Sequence, residues 1–225
     1  MNTAHPLVAR ADRVSRRFEA RGERVLALDD VSVDVPRGRL LAIAGPSGSG
    51  KSTLLAEFGA LDRPTTGTVS IGEREITALG RRARRSIRRT QVATVLPQPS
   101  DNLLVRRTGV HNLHVAMRQR RGMASWVQRV IDDVDIGDFV DRVAGTMSGG
   151  EQQRLALACA LVGGTPLVLA DEPTGALDDV SAGHVIDALL RAVSFGATIV
   201  VATHDPAVID AAHEVVRLEH GRRVS

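Results

Sequence analysis

The residues Gly45-Pro-Ser-Gly-Ser-Gly-Lys-Ser-Thr53 have the types and spacing of a phosphate-binding loop, G-x-x-x-x-G-K-[ST]. The apolar run Leu40–Ala44 before it reads as a buried parallel strand, and Thr53–Phe58 after it as the first turns of a helix. Strand, glycine loop and helix together make an anion cradle. Gly45, Gly48 and Gly50 let backbone N–H groups turn inward between Pro46, Ser47 and Ser49, and the helix N-terminus adds partial positive charge. Lys51 is placed to reach β- and γ-phosphates, and Ser52 to hold Mg²⁺. Of the 29 Lys and Arg residues, Lys51 is the only lysine. A compact ammonium suits such a loop where a planar guanidinium does not, so chemistry rather than composition keeps Lys51.

Three further apolar runs end in residues that can act on a phosphate. Leu167–Asp171 ends in Asp171 and Glu172, a metal-binding carboxylate followed by a candidate general base for an attacking water. Val92–Leu96 is followed by Gln98, within reach of Mg²⁺ or that water. Thr198–Ala202 is followed by Thr203 and His204, the latter a candidate contact to a γ-phosphate. In open α/β sheets ligands bind beyond the carboxyl ends of the strands, which places Lys51, Gln98, Glu172 and His204 on one edge. Met147-Ser-Gly-Gly-Glu151 is a different device. Ser148 and Glu151 form a capping box opening the helix Gln152–Val162. Gly149 and Gly150 are poor choices there, costing about 1 kcal/mol each relative to alanine. Their expected use is to bare the N–H groups of that helix start, giving a second phosphate site separate from the first.

The elements that must position these groups can be read in order. Val8–Phe18 and Val25–Val35 read as strands joined by a polar turn, Glu19–Arg24, with Val31, Val33 and Val35 alternating against Ser32 and Asp34. Thr68–Ile71 and Ile76 suggest a further hairpin. From about 99 to 147 no strand is evident, and Val110–Met117 and Trp126–Val134 have helical spacing, so this stretch reads as a helical insertion between two halves of a sheet. Val180–Val193 reads as a helix, and Asp205-Pro206 as the cap and first position of another. Arg81–Arg89 carries six arginines, either a solvated helix face or a surface facing anionic lipid or nucleic acid.

At 225 residues and 43% apolar the chain can bury one large core. A net charge of +3 permits acidic partners without requiring them, and the near absence of aromatics argues against base-stacking recognition of single strands. The lone Cys159 excludes an internal disulfide and suits a reducing cytosol. Met1–Arg10 has no signal-peptide pattern, and no apolar run approaches the ~20 residues of a membrane span.

With the phosphate loop, Ser148-Gly-Gly-Glu-Gln152 and Leu169-Ala-Asp-Glu-Pro-Thr-Gly175 in the right order, nearly the whole chain resembles the nucleotide-binding subunit of an ABC transporter, most like the lipoprotein-release and macrolide-export type. The resemblance implies an α/β fold: a P-loop NTPase (RecA-like) core, about 1–97 and 160–225, with an antiparallel β subdomain and an inserted helical subdomain, about 98–159. It implies that Ser148, Gly149, Gly150 and Glu151 are the signature motif. Gln98 is then the Q-loop glutamine, Asp171 and Glu172 the Walker-B pair, Ala176-Leu-Asp178 the D-loop and His204 the switch histidine. Phe18 becomes the aromatic that stacks on adenine. Pro97, Met147, Cys159 and Ala176 depart from the usual residues without touching that set. ATP and Mg²⁺ are the implied ligands. A second ATPase subunit, in a homodimer, and an integral-membrane permease are the implied partners, with the chain cytoplasmic and peripheral on the inner face of the cell membrane. No nucleic acid partner is expected. The alternative, a soluble ABC-type ATPase acting on DNA or ribosomes, would suit the arginines, but the chain has neither a long coiled-coil insertion nor a second ATPase domain on a charged linker.

Overall fold

A computed structural model describes residues 6–20, 23–120 and 124–224. In chain order the first half runs β1 (Leu7–Ala20), β2 (Glu23–Pro36), β3 (Leu40–Ala44), α1 (Lys51–Phe58), β4 (Thr66–Ile71), β5 (Arg74–Glu75), α2 (Arg81–Thr90) and β6 (Val92–Val95). There follow α3 (Gly109–Arg120), α4 (Ala124–Asp133), α5 (Gly149–Leu161), β7 (Leu167–Asp171), α6 (Asp179–Ser194), β8 (Ile199–Thr203), α7 (Pro206–Ala211), β9 (Glu214–Glu219) and β10 (Arg222–Val224). Of the expected turn Glu19–Arg24, residues 21 and 22 lie outside the described residues, as do residues 1–5 of Met1–Arg10.

The strands form two sheets. One is antiparallel in the order β2-β1-β4-β5; the other runs β10-β9-β3-β8-β7-β6 and is parallel from β9 to β6. The parallel strands are continuous apolar runs because both of their faces are covered. Leu41, Ile43, Val200, Ala202, Leu167 and Leu169 pack into one cluster, with α1 and the antiparallel sheet. Leu40, Ile199, Val201, Val168 and Ala170 point the other way, into a cluster built by α3 to α6. The antiparallel sheet shows the alternation expected when one face is wet: Val31, Val33 and Val35 are buried between half-buried or exposed Ser32 and Asp34.

The helical stretch between β6 and β7 forms as its spacing predicts, and the strand expected at Thr198–Ala202 lies one residue later. The arginine run is more than a solvated face. Arg84 and Ile87 of α2 are buried on the same side. The Arg84 guanidinium donates to the Asp62 carbonyl, and Arg88 Nη1 donates to the Ala60 carbonyl at 2.7 Å. Those carbonyls lie just past the C-terminus of α1, where the helix dipole favours cations.

α1 also carries a conflict. Glu57 is 1% exposed, and both its carboxylate oxygens are buried without a partner. Burial, reinforced by the nearby Asp62 charge and only partly opposed by Arg16 and Arg84, pushes its carboxyl up to about 8. Between the ordinary carboxylate value and that point, the folded chain holds a proton that the unfolded chain has released, so stability falls as pH rises through the window. Glu57→Gln, which stays neutral, is expected to stabilise the fold by on the order of 3 kcal/mol near neutral to mildly alkaline pH and by almost nothing below the ordinary carboxylate pKa. Thermal unfolding of parent and variant across pH checks this; a gain independent of pH would remove the explanation.

Candidate active site

The carboxyl ends of β3, β7 and β8 meet at one edge of the parallel sheet. Their register is direct, with Ala44 opposite Thr203 and Asp171 opposite Ala202. The residues just past these positions therefore share a level. They line a cleft of about 610 Å³ that includes Ser47, Gly48, Gly50, Lys51, Ser52 and Thr53 from the loop and start of α1. Gln98, Glu172 and His204 complete it from the neighbouring strands, with Val25 and Leu26 of β2 on one wall.

The loop's geometry follows from its glycines. Gly50 precedes α1 with φ at +101°, and a Cβ there would lie 2.5 Å from the Ala27 carbonyl oxygen and 2.9 Å from the Leu28 side chain. The loop thus hugs β2, and only glycine satisfies both the backbone and the space. Ser49 is buried beneath it, and its carbonyl accepts from Gly221 N–H at 3.1 Å. Lys51 is 6% exposed, and its Nζ donates to the Gly45 and Pro46 carbonyls at 2.8 and 3.0 Å. The Glu172 carboxylate lies 3.6 Å from the same ammonium.

Glu172 is held in an unusual way. Its backbone is left-handed, φ +44°, a conformation costing about 1–3 kcal/mol in a non-glycine residue. The turn is fixed by Glu172 N–H donating to the Ala202 carbonyl at 2.8 Å. Both carboxylate oxygens lie 3.0 Å from His204 Nδ1. Thr174 Oγ1 donates to Asp205 Oδ2 at 2.6 Å, tying the loop after β7 to the loop after β8. One residue earlier, Asp171 Oδ1 accepts from Ser52 Oγ at 3.1 Å. Burial, with the adjacent Glu172 charge, holds the Asp171 carboxyl above its ordinary range despite that hydrogen bond. A cation beside it would favour the ionised form. A hydroxyl and a carboxylate in contact, with room for phosphate oxygens, are hard oxygen donors of the kind Mg²⁺ accepts, so the residues fit that ion.

Gly45, Pro46, Ser49 and Asp171 do not line the cleft themselves, though they adjoin residues that do, and two further groups of expected residues lie outside its wall. Phe18 pairs across the β1–β2 hairpin with Val25, which does line the cleft. The Phe18 ring itself is 37% exposed and carries the Arg16 guanidinium 4.4 Å from its centre. Ser148, Gly149, Gly150 and Glu151 are not in the cleft either. Their capping box forms as expected: Glu151 N–H donates to Ser148 Oγ and Ser148 N–H to Glu151 Oε2. Burial would raise the Glu151 carboxyl, but the Ser148 N–H and the Arg142 guanidinium hold it below its ordinary value. The glycines have a reason beyond bare N–H groups. A Cβ on Gly150 would lie 2.9 Å from the Ser181 side chain of α6, and one on Gly149 would lie 3.2 Å from Leu177.

Several positioning residues escape a reading by motif. Asn102 accepts from Leu96 N–H at 2.7 Å and donates to the Gln98 carbonyl at 3.0 Å, clamping the loop that presents Gln98. Val25 and Leu26 are exposed apolar residues of β2 in the cleft wall and belong to no motif. Thr174 is part of a recognised motif, yet its bond to Asp205 is not implied by either residue.

The fold and this edge define a P-loop ATPase of the ABC type. The family model described as ABC transporter matches residues 28–175, and the chain belongs to that family. The Paracoccus denitrificans protein named macrolide export ATP-binding/permease protein MacB 1/2 is 38% identical over 229 residues, covering 99% of this chain and 34% of that protein. The Burkholderia thailandensis MacB protein is 36% identical, covering 98% of this chain and 34% of its own length. The chain thus spans about a third of the curated relatives it matches. Among solved structures, the post-hydrolysis dimer of the ATP-binding cassette MJ0796 bound to ADP and Pi superposes with a TM-score of 0.82 at 30% identity, covering 96% of this chain and 97% of that one. The chain is an ATP-binding, ATP-hydrolysing subunit of the ABC transporter family.

Gly50→Ala is expected to lower nucleotide affinity by at least about tenfold and to destabilise the fold by roughly 2–4 kcal/mol, because strain and a backbone clash coincide. Calorimetric nucleotide titration and thermal unfolding measure both; an unchanged affinity would mean that the loop tolerates a different path over β2.

Proposed function

We propose that this chain hydrolyses Mg²⁺·ATP at a site it completes with a second ATPase subunit, and that it thereby drives an integral-membrane permease from the inner face of the cell membrane. The observation that carries the chemistry is the placement of Glu172. Its carboxylate, turned inward by a strained backbone, lies between the Lys51 ammonium and the His204 ring.

The geometry supports the following roles. The Lys51 ammonium exchanges two loop carbonyls for β- and γ-phosphate oxygens, and the loop N–H groups and the N-terminus of α1 take up the remaining phosphate charge. Ser52, Asp171 and Gln98 would hold Mg²⁺, which when bound would neutralise phosphate charge. Glu172 accepts the proton of the attacking water, and His204 supports Glu172 and contacts the γ-phosphate. Phe18 and the Val25–Leu26 wall are the apolar surface available to the base. Ser148, Gly149, Gly150 and Glu151 face the ATP of the other subunit, which accounts for a phosphate-suited helix start with no place in this chain's own cleft. The MJ0796 cassette, described as a dimer bound to ADP and Pi, supports that arrangement. The MacB relatives, named for both ATP-binding and permease, support the membrane partner. No helix among the described residues is long and apolar enough to cross a membrane, so on this reading the spans belong to the permease unit.

Glu172→Gln is expected to keep nucleotide affinity and lose turnover by about 10²–10⁴-fold, the range of a general base. With Mg²⁺·ATP it should elute as a dimer in size-exclusion chromatography; full turnover would refute the base assignment. Specific activity of the parent should rise with protein concentration, and Ser148→Ala should depress it at every concentration. A rate per subunit that is independent of concentration would refute the shared site.

A further inference from the structure

One helix length from the phosphate loop, past the C-terminal end of α1, lies a second and larger cleft of about 800 Å³. It shares no residue with the ATP cleft. Its wall holds seven arginines against one carboxylate, Asp62. Four of these arginines are built into the fold, Arg63 among them through a hydrogen bond to the Leu79 carbonyl. Arg84 is buried and Arg88 half-buried, both bonded to carbonyls at the end of α1, while Arg16 pairs with Asp62 at 2.8 Å. This anchoring makes the wall concave and fixed, unlike a solvated helix face. The outer residues Arg81, Arg82 and Arg85 are exposed, and their guanidinium groups make no hydrogen bond or ion pair among the described residues.

The charge on this wall has no internal answer. Asp62 is already engaged by Arg16, and the acid behind it, Glu57, is driven toward its neutral form by burial. Arg84 shows the consequence, since burial and the neighbouring Arg63 and Arg88 charges push its guanidinium below its ordinary value. An anion from outside would relieve that repulsion. Guanidinium forks match phosphate oxygens bidentately. No aromatic lines the cleft, which disfavours stacked bases and hence single-stranded nucleic acid. Leu61, 58% exposed among the arginines, supplies an apolar contact instead. Clustered basic residues beside an exposed apolar side chain are the pattern of a surface that meets anionic lipid.

We propose that this arginine cleft binds the phosphate headgroups of anionic phospholipids, holding the ATPase subunit against the membrane independently of its permease partner. The proposal rests on the reading that the chain works at a membrane face. It is tested by flotation of the chain with vesicles of phosphatidylcholine alone and with about a third phosphatidylglycerol, at moderate salt. The parent is expected to float with the anionic vesicles only. The triple substitution Arg81→Gln, Arg82→Gln and Arg85→Gln is expected to weaken binding by about fivefold per arginine, on the order of 100-fold in all. Its ATP turnover in vesicle-free solution should stay within about twofold of the parent. Glu172→Gln, which stops turnover on the ATPase reading, should float like the parent, so the two readings fail separately. Equal flotation of parent and triple variant overturns the proposal. So does parent binding that ignores lipid charge, or tighter binding to duplex DNA than to anionic vesicles at equal phosphate concentration.

Discussion

One buried ammonium sets the terms for the ATP cleft. Lys51 is almost wholly withdrawn from water, and an ammonium in that position must be compensated or lose its charge. The chain compensates it with the Gly45 and Pro46 carbonyls and faces it with the Glu172 carboxylate. These groups come from two strands that are not neighbours in the sheet: β8 lies between β3 and β7. Only a direct parallel register through β8 brings them together, and that register exists because all three strands are apolar on both faces. The core's main structural task for function is therefore to hold three strand ends level.

The same edge stores strain where the chemistry is expected. Glu172 takes a left-handed backbone that a free peptide would avoid, and it is kept there by the Ala202 carbonyl and by the Thr174–Asp205 bond between adjoining loops. Gly175 follows with its α-carbon close behind the Glu172 side chain, where a Cβ would come within 3.5 Å of the Glu172 Cβ. The result is a carboxylate carried on a backbone fixed by the link between two strands, with both its oxygens 3.0 Å from His204 Nδ1. On the proposed reading, such pre-organisation holds the base where the reacting group must meet it.

What was legible in sequence was local. The phosphate loop, the capping box at Ser148 and the strand end at Asp171 could be read because neighbouring residues carry the whole signal, and the strand before His204 was placed to within one residue. The parallel strands could be read because burial on both faces leaves unbroken apolar runs. β9 and β10 gave no such signal: in Glu214–Glu219 only Val216 and Leu218 are buried, and Val215 lies exposed at the flank of the sheet. The second use of the signature glycines was hidden for another reason. It depends on Ser181 and Leu177, which sequence spacing does not place against α5. The arginines of α2 were ambiguous because composition cannot separate a guanidinium in water from one that caps the end of α1.

That packing of glycine on α6 changes how the signature helix must work. Gly150 lies against Ser181, and Ser181 is bonded twice to Asp178, the N-cap of α6. Asp178 ends the loop that begins at Glu172, and within it Gly175 N–H donates to the Glu172 carbonyl and Leu177 N–H to the Thr174 carbonyl. The start of α5 and Glu172 are thus joined by short, mostly rigid links rather than by a flexible loop. On the proposed two-subunit reading, a phosphate pressing on Ser148 and the glycines cannot move α5 without passing the displacement to Asp178 and on to Glu172. The glycines that receive the other subunit's ATP are then also the point where its presence is felt at this subunit's base. A side chain at Gly150 would disturb the two together, because one contact serves both.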